Sequence, residues 1–200
     1  MSALAGELRR AADCLCALGR GFALVGGLGV SARGAVRFTR DIDFAVTVGS
    51  DEEAESLVRD LRAAGYEIAA IVEDEDTGRL STVRLRSRAR ILIDILTASS
   101  GVEREIVERE GARAAPPRVV IEGVGALPVA AVEDLLATKI LAMSERRPQD
   151  AIDAGALIDT WPELDVSQVR ERLTLIRERG FDRGEDLEQK LARVLAAAGR

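Results

Sequence analysis

The sequence predicts an α+β protein: a mixed β-sheet with flanking helices over residues 1–127, followed by a helical C-terminal half over residues 128–200. Three observations predict it. Short runs rich in Val, Ile and Leu, bounded by turn residues, recur between Phe22 and Leu96 as β-strands do. From Val129 onward the apolar residues repeat at helical spacing. Pro116 and Pro117 break the chain before Val119–Ile121, the last strand ahead of the division near residue 127. At 200 residues, 47% hydrophobic and 31% charged, the chain is long enough to bury a substantial core.

The elements follow in order. Leu4, Leu8, Ala11, Leu15 and Leu18 lie on one helical face, with Ser2 as the cap and Gly19 as the stop. Phe22 to Val25 reads as a buried strand running into Gly26 and Gly27, after which Leu28 to Arg33 starts a short helix whose free amides point back at the glycines. Asp41 to Val48 is a second strand. Ser50 followed by Asp51, Glu52 and Glu53 opens a helix with acids at its positive end, closed by Gly65. Tyr66–Val72, Leu80–Leu85 and Arg90–Leu96 are three further strands, with a turn near Thr77 and Gly78. Val102–Glu110 is a short charged helix and Val119–Ile121 an edge strand. Ala131–Ser144, Gln149–Ile158, Ser167–Arg179 and Asp186–Ala198 are helices, each apolar on one face.

Composition removes several classes of function. The chain has no histidine, which excludes histidine triads, histidine metal sites and imidazole acid–base catalysis. No apolar run approaches the roughly 20 residues of a membrane span. Glu7, Arg9, Arg10 and Asp13 stand where a signal peptide needs an apolar core, so a cytoplasmic protein without a membrane partner is expected. Cys14 and Cys16, two apart on a helix, face different ways and are expected as reduced, partly buried thiols. The net charge of −6 argues against gripping nucleic acid with the whole surface, but leaves room for a local basic strip. Arg84, Arg86, Arg88 and Arg90 alternate with smaller or apolar residues, which on one strand would put four guanidinium groups on one face. A solvated antiparallel face is the competing reading.

The chemistry concentrates between Gly26 and Phe44, GGLGVSARGAVRFTRDIDF. Paired glycines let phosphate oxygens approach the backbone, because no β-carbon intervenes. Asp41 and Asp43 alternate along a strand and project from one face, while Ile42 and Phe44 face the other way. Neighbouring carboxylates repel, and a divalent cation that prefers oxygen ligands, magnesium or manganese, would neutralise both. Asp94 lies in ILIDIL, where an unpaired carboxylate is costly to bury. If that strand lies beside the Asp41 strand, three acids converge. Such a set can hold two divalent ions for in-line displacement at phosphorus.

Lys139 stands out because Lys190 is the only other lysine, and an ammonium suits a phosphate; a helix-surface lysine is the alternative. Asp150 and Asp153 share a helix face, and either could be a functional acid or a solvated helix-start residue. Arg37 and Arg40 either meet a triphosphate or balance Asp41 and Asp43. Thr39 either caps or contacts substrate, and Ser31 either donates to a phosphate or is an ordinary helix residue.

These residues resemble the nucleotidyltransferase superfamily of the DNA polymerase β type, and more closely the AbiEii/AbiGii toxin family with its MenT-like members. The likeness rests on Phe22-Ala-Leu-Val-Gly-Gly, Arg37-Phe-Thr-Arg-Asp-Ile-Asp-Phe, Ile93-Asp94-Ile95, Leu135-Leu-Ala-Thr-Lys139 with Ala142, and Arg147-Pro-Gln-Asp150, all in the family's order. It implies a nucleotidyltransferase fold whose helical half completes the active-site cleft. Asp41 and Asp43 would bind both metal ions, and Asp94 would bind one and orient or deprotonate the acceptor hydroxyl. Lys139 would contact the triphosphate, and Asp150 matches a late acidic position. The implied substrate is a nucleoside triphosphate, the implied acceptor tRNA or another RNA, and the implied partner an antitoxin protein. A small molecule such as an aminoglycoside, or a protein hydroxyl, is an alternative acceptor. A non-catalytic nucleotide-binding module is the alternative to an enzyme. Where many relatives carry histidine before the glycine at position 34, this chain has Arg33, which bears on acceptor or nucleotide preference.

Overall fold

The structure is a computed structural model and describes residues 2–35, 37–74, 78–108 and 116–200. The expected turn at Thr77 and the expected helix end at Glu110 lie outside the described residues. The chain order is α1 (Ala3–Ala17), β1 (Phe22–Leu24), α2 (Gly26–Ala32), β2 (Ile42–Val46), α3 (Asp51–Ala63), β3 (Glu67–Glu73), β4 (Leu80–Arg86) and β5 (Leu92–Leu96). It continues with α4 (Glu103–Val107), β6 (Arg118–Ile121), β7 (Gly125–Pro128), α5 (Val132–Ala142), α6 (Pro148–Thr160), α7 (Val166–Glu178) and α8 (Leu187–Ala197). Caps set several of these boundaries. Ser2 accepts from the Ala5 amide, Ser50 from Glu53, and Asp186 from Gln189.

Five strands form one sheet in the order β1-β2-β5-β4-β3. β2 and β5 are parallel neighbours, and the other pairings are antiparallel, so the sheet is mixed as expected. Alternation along β2 sends Ile42, Phe44 and Val46 into a core with Leu8 and Leu15 of α1 and Leu57 and Leu61 of α3. There Phe22 meets Phe44 edge-on, with ring centroids 5.3 Å apart. The opposite face carries Ala23 and Ala45 into a second core with Ile106 of α4, Leu135, Leu136 and Ile140 of α5, Leu157 of α6, Leu173 of α7 and Leu191 of α8. The C-terminal helices therefore pack against the sheet. A parallel bridge between Leu24 and Val129 and a bond from the Ala130 amide to the Leu24 carbonyl lead the chain into α5.

Several local expectations change. The helix expected from Leu28 begins at Gly26, so the glycine pair forms its first turn, and the strand expected from Asp41 begins at Ile42, which leaves Asp41 just ahead of it. β6 is paired with β7 in a separate ribbon rather than standing alone as an edge strand. β7 escaped notice because Gly125-Ala-Leu-Pro128 is short and ends in proline, which withholds an amide from a ladder. The four alternating arginines do not share one strand face. β4 stops at Arg86, and Ser87 to Arg90 form a turn with Arg90 at φ 61°. Arg84 pairs with Asp94 and Arg86 with Glu67 across the sheet. Cys14 is half-buried and Cys16, expected to be partly buried, is exposed; both are free.

Candidate active site

The parallel pairing of β2 and β5 sets Asp43 directly beside Asp94, on the face turned away from the α1–α3 core. Asp41 lies just ahead of β2 and is exposed, while Asp94 is buried. Burial, then the neighbouring Asp94, and then Asp41 push the Asp43 carboxyl up to about 6, against the opposing pull of Lys139 and Arg37.

The glycines are required by what lies over them. Gly26 has φ 59°, and a β-carbon there would collide with the Asp43 carboxylate. A β-carbon on Gly27 would sit 2.9 Å from the Arg37 guanidinium and 3.1 Å from Thr39 Cβ. The pair thus lets the segment carrying Arg37 and Thr39 fold down beside Asp43. Ser31 fixes that fold, its hydroxyl donating to the carbonyls of Gly27 at 3.1 Å and Arg37 at 3.2 Å.

The opposite wall comes from α5 and α6. Lys139 Nζ lies 2.8 Å from Asp150 Oδ1 and 2.7 Å from Asp153 Oδ2. Arg147 closes on Asp150 at 2.9 Å and Arg37 on Asp153 at 2.5 Å. The result is an alternating chain, Arg147–Asp150–Lys139–Asp153–Arg37, and its two carboxylates and its ammonium are buried. Both late acids therefore meet Lys139, because α6 presents them one turn apart. Arg84, directly across from Asp94 on β4, holds that carboxylate by two bonds of 2.8 and 2.7 Å.

A cleft of about 530 Å³ lies between these walls, and Gly26, Gly27, Arg37, Thr39, Asp41, Asp43, Asp94, Lys139 and Asp150 all line it. Ser31 and Arg40 are not among its lining residues, and Arg40 is exposed. Arg33 is also outside it. Its guanidinium donates to the carbonyls of Val129 and Ala130 at 2.7–2.9 Å and ties α2 to the start of α5. Sequence reading missed Arg84 as the partner of Asp94, although the basic strip contained it. It also missed Arg147 and Arg183 as lining residues, and no motif marks Arg183. Among the described residues, no three acidic or cysteine side chains are gathered as a ready-made metal centre. The donor set nonetheless suits a hard divalent cation: oxygen ligands on adjacent strands, with Asp43 destabilised as an anion by burial first and by its neighbour Asp94 second.

A mixed sheet that brings carboxylates of two parallel strands together, facing cations across a cleft, is the arrangement of a nucleotidyltransferase. The chain belongs to the family described as Nucleotidyl transferase AbiEii toxin, Type IV TA system, which matches it over residues 11–198. Among curated proteins no relative matches its sequence. Of solved structures, a nucleotidyltransferase-like antigenic protein from Paracoccidioides brasiliensis is similar at 20% identity, covering 94% of this chain and 92% of that one, with a TM-score of 0.51. The antibiotic-resistance factor ANT(2")-Ia, solved with adenylyl-2"-tobramycin, is similar at 16% identity over 89% of this chain and 99% of that one, with a TM-score of 0.56. These two show a shared fold. MenT4, a nucleotidyltransferase toxin from Mycobacterium tuberculosis H37Rv, aligns at 14% identity over 96% of this chain and 92% of that one, with a TM-score of 0.41. Among the described residues no helix is long and apolar enough to cross a membrane.

Proposed function

We propose that this nucleotidyltransferase moves a nucleoside monophosphate from a nucleoside triphosphate to a hydroxyl of RNA, tRNA in particular, and releases pyrophosphate. The observation that carries the reading is the register match of Asp43 with Asp94 inside the cleft that also holds Lys139 and Arg37. Asp41, Asp43 and Asp94 would hold two magnesium or manganese ions, which supply charge neutralisation at the phosphates and a more acidic acceptor hydroxyl. The remaining work falls to the chain. Gly26 and Gly27, whose missing β-carbons admit Asp43 and the Arg37–Thr39 segment, would offer the triphosphate their backbone, and Lys139 and Arg37, held by Asp153, would face it as fixed cations. Thr39 and Asp150 complete that subsite, with Ser31 acting through the loop it braces and Arg40 at its exposed edge. The acceptor oxygen forms a bond to the α-phosphorus, the bond from that phosphorus to the bridging oxygen breaks, and the hydroxyl proton passes to Asp94. In the cell the family's toxin role goes with a cytoplasmic location and an antitoxin partner.

Transfer to a small molecule is the second reading, favoured by the likeness to ANT(2")-Ia over most of the chain. The test incubates purified protein with each α-labelled nucleoside triphosphate, magnesium and one of three acceptors: total tRNA, bulk protein or tobramycin. Label on tRNA with pyrophosphate release, lost in the Asp41→Ala, Asp43→Ala double variant, is the expected result. Label on tobramycin alone would replace the RNA acceptor with a small molecule. No transfer to any acceptor overturns the catalytic reading.

A further inference from the structure

The cleft extends past the carboxylates along the sheet face, through Thr82 and Arg84 of β4, to an end bordered by Ser99, Ser100 and Arg183. Arg183 belongs to the segment joining α7 to α8, far in sequence from every residue of the donor subsite. Four of the five cations lining the cleft already have carboxylate partners: Arg37, Arg84, Lys139 and Arg147. Among the described residues, Arg183 is the one cleft cation with neither a carboxylate nor a hydrogen-bond partner.

Its backbone is equally unusual. Arg183 has φ 58°, a left-handed conformation that costs a residue with a β-carbon and that glycine adopts freely. Such strain persists only where the surroundings impose it. Here they do, because the segment is pinned just before Arg183. A β-carbon on Gly101 would run into the Phe181 ring, so that ring lies on the Gly101 backbone. Arg179 donates to the Gly101 carbonyl and grips Glu105 of α4 by bonds of 2.9 and 2.7 Å. The neighbouring acid, Glu103, is turned inward: its Oε1 accepts from the amides and hydroxyls of both Ser99 and Ser100. The fold therefore holds an exposed, unneutralised guanidinium in a strained conformation at the far end of the cleft.

We propose that Arg183 binds a backbone phosphate of the acceptor and selects an anionic, RNA-like acceptor over a cationic or neutral small molecule. The assignment rests on the transferase reading above and names the residue that decides its acceptor class. A free guanidinium supplies a paired set of donors for a phosphate and repels a polyamine such as an aminoglycoside. Arg183 lines the same cleft as Asp43 and Asp94 and comes from a segment docked on Gly101, beyond the end of β5, so the assignment gives it the acceptor and not the triphosphate.

The test compares the wild type with Arg183→Gly, Arg183→Ala and Arg183→Lys. Transfer to total tRNA is measured with acceptor and triphosphate varied separately, and binding of a labelled single-stranded RNA is measured without triphosphate at several salt concentrations. Arg183→Ala is expected to raise the acceptor KM about tenfold, the loss of one charge-assisted contact, with triphosphate KM unchanged and partial rescue by Arg183→Lys. The salt dependence of RNA binding should weaken by the equivalent of about one phosphate. Arg183→Gly should melt no lower than the wild type, because glycine relieves the strain, yet bind RNA as poorly as Arg183→Ala. Unchanged acceptor KM and RNA affinity in both variants would overturn the assignment, as would a rise in triphosphate KM alone. If the wild type transfers nothing to tRNA, the functional reading fails and the acceptor role falls with it, while the binding arm still decides the contact: equal RNA affinity of wild type and Arg183→Ala rejects Arg183 as a phosphate-binding residue, and weaker binding by the variant upholds it as one.

Discussion

Asp43 and Gly26 show how closely the chemistry depends on single atoms. The carboxylate occupies the space that a side chain on Gly26 would need. Gly26→Ala should therefore cost about 1 kcal/mol from the left-handed backbone alone and should displace Asp43. A misplacement of that kind is expected to cut kcat by about 100-fold, measured as pyrophosphate release beside a thermal melt. Lys139 carries a structural burden together with its proposed one, since it is the common counterion of buried Asp150 and Asp153. Lys139→Ala should lower stability by about 3 kcal/mol, because it removes the buried ammonium between two buried carboxylates and leaves each with only its arginine at the edge of the chain. Urea melts of this variant and of an Asp150→Asn, Asp153→Asn, Lys139→Met triple variant would separate the loss of charge balance from the loss of triphosphate contact. The triple variant should recover most of the stability and none of the activity.

The decisive event among the elements is the parallel pairing of β2 with β5, which aligns the acids within one rung of the sheet. Elsewhere the site depends on elements tied to each other by side chains. Arg33 joins α2 to the residues that begin α5, and Arg179 joins the end of α7 to α4. Burial alone would push the Glu105 carboxyl up, but the bonds from Arg179 outweigh it and hold it below its usual 4.5. A carboxyl whose pKa is depressed on folding adds stability above its unfolded value, and that stability is lost as pH falls through the folded one. With its partner partly exposed, the pair is worth about 0.5 kcal/mol. Arg179→Ala should thus melt below the wild type at pH 7, and the gap should close as the pH falls from about 5 toward 3. A gap that stays constant over that range would show that Arg179 acts through packing instead.

At the level of the whole molecule, the helical half and the sheet share one hydrophobic core, with Ala23, Val25, Ala45 and Ile106 packed among residues of α5 to α8. Leu135 is fully buried at its centre, close enough to α2 that a β-carbon on Gly29 would lie 3.1 Å from its methyl group. Leu135→Ala should cost about 3 kcal/mol, and the full chain should unfold in a single transition by both near- and far-ultraviolet dichroism. A fragment ending at residue 127 would expose the sheet face that α5 covers. It should lack the dispersed amide spectrum of a folded domain.

Much of this was legible in the sequence. Short apolar or alternating runs marked the five strands of the main sheet, helical periodicity marked the C-terminal half, and the glycine pair with Asp41, Asp43, Asp94 and Lys139 marked residues that line the cleft. These features are local: alternation, capping and the cost of a carboxylate in an apolar run are decided by near neighbours in the chain. What only the tertiary structure decided is who meets whom. Nothing local says that Arg84 faces Asp94 rather than solvent, that Asp150 and Asp153 both close on Lys139, or that Arg33 braces two helices outside the cleft. Ion pairs between distant segments follow from strand order and helix packing, which no spacing encodes. For the same reason Arg183, silent as a motif, stands at the end of the cleft only because Phe181 and Arg179 dock its segment there.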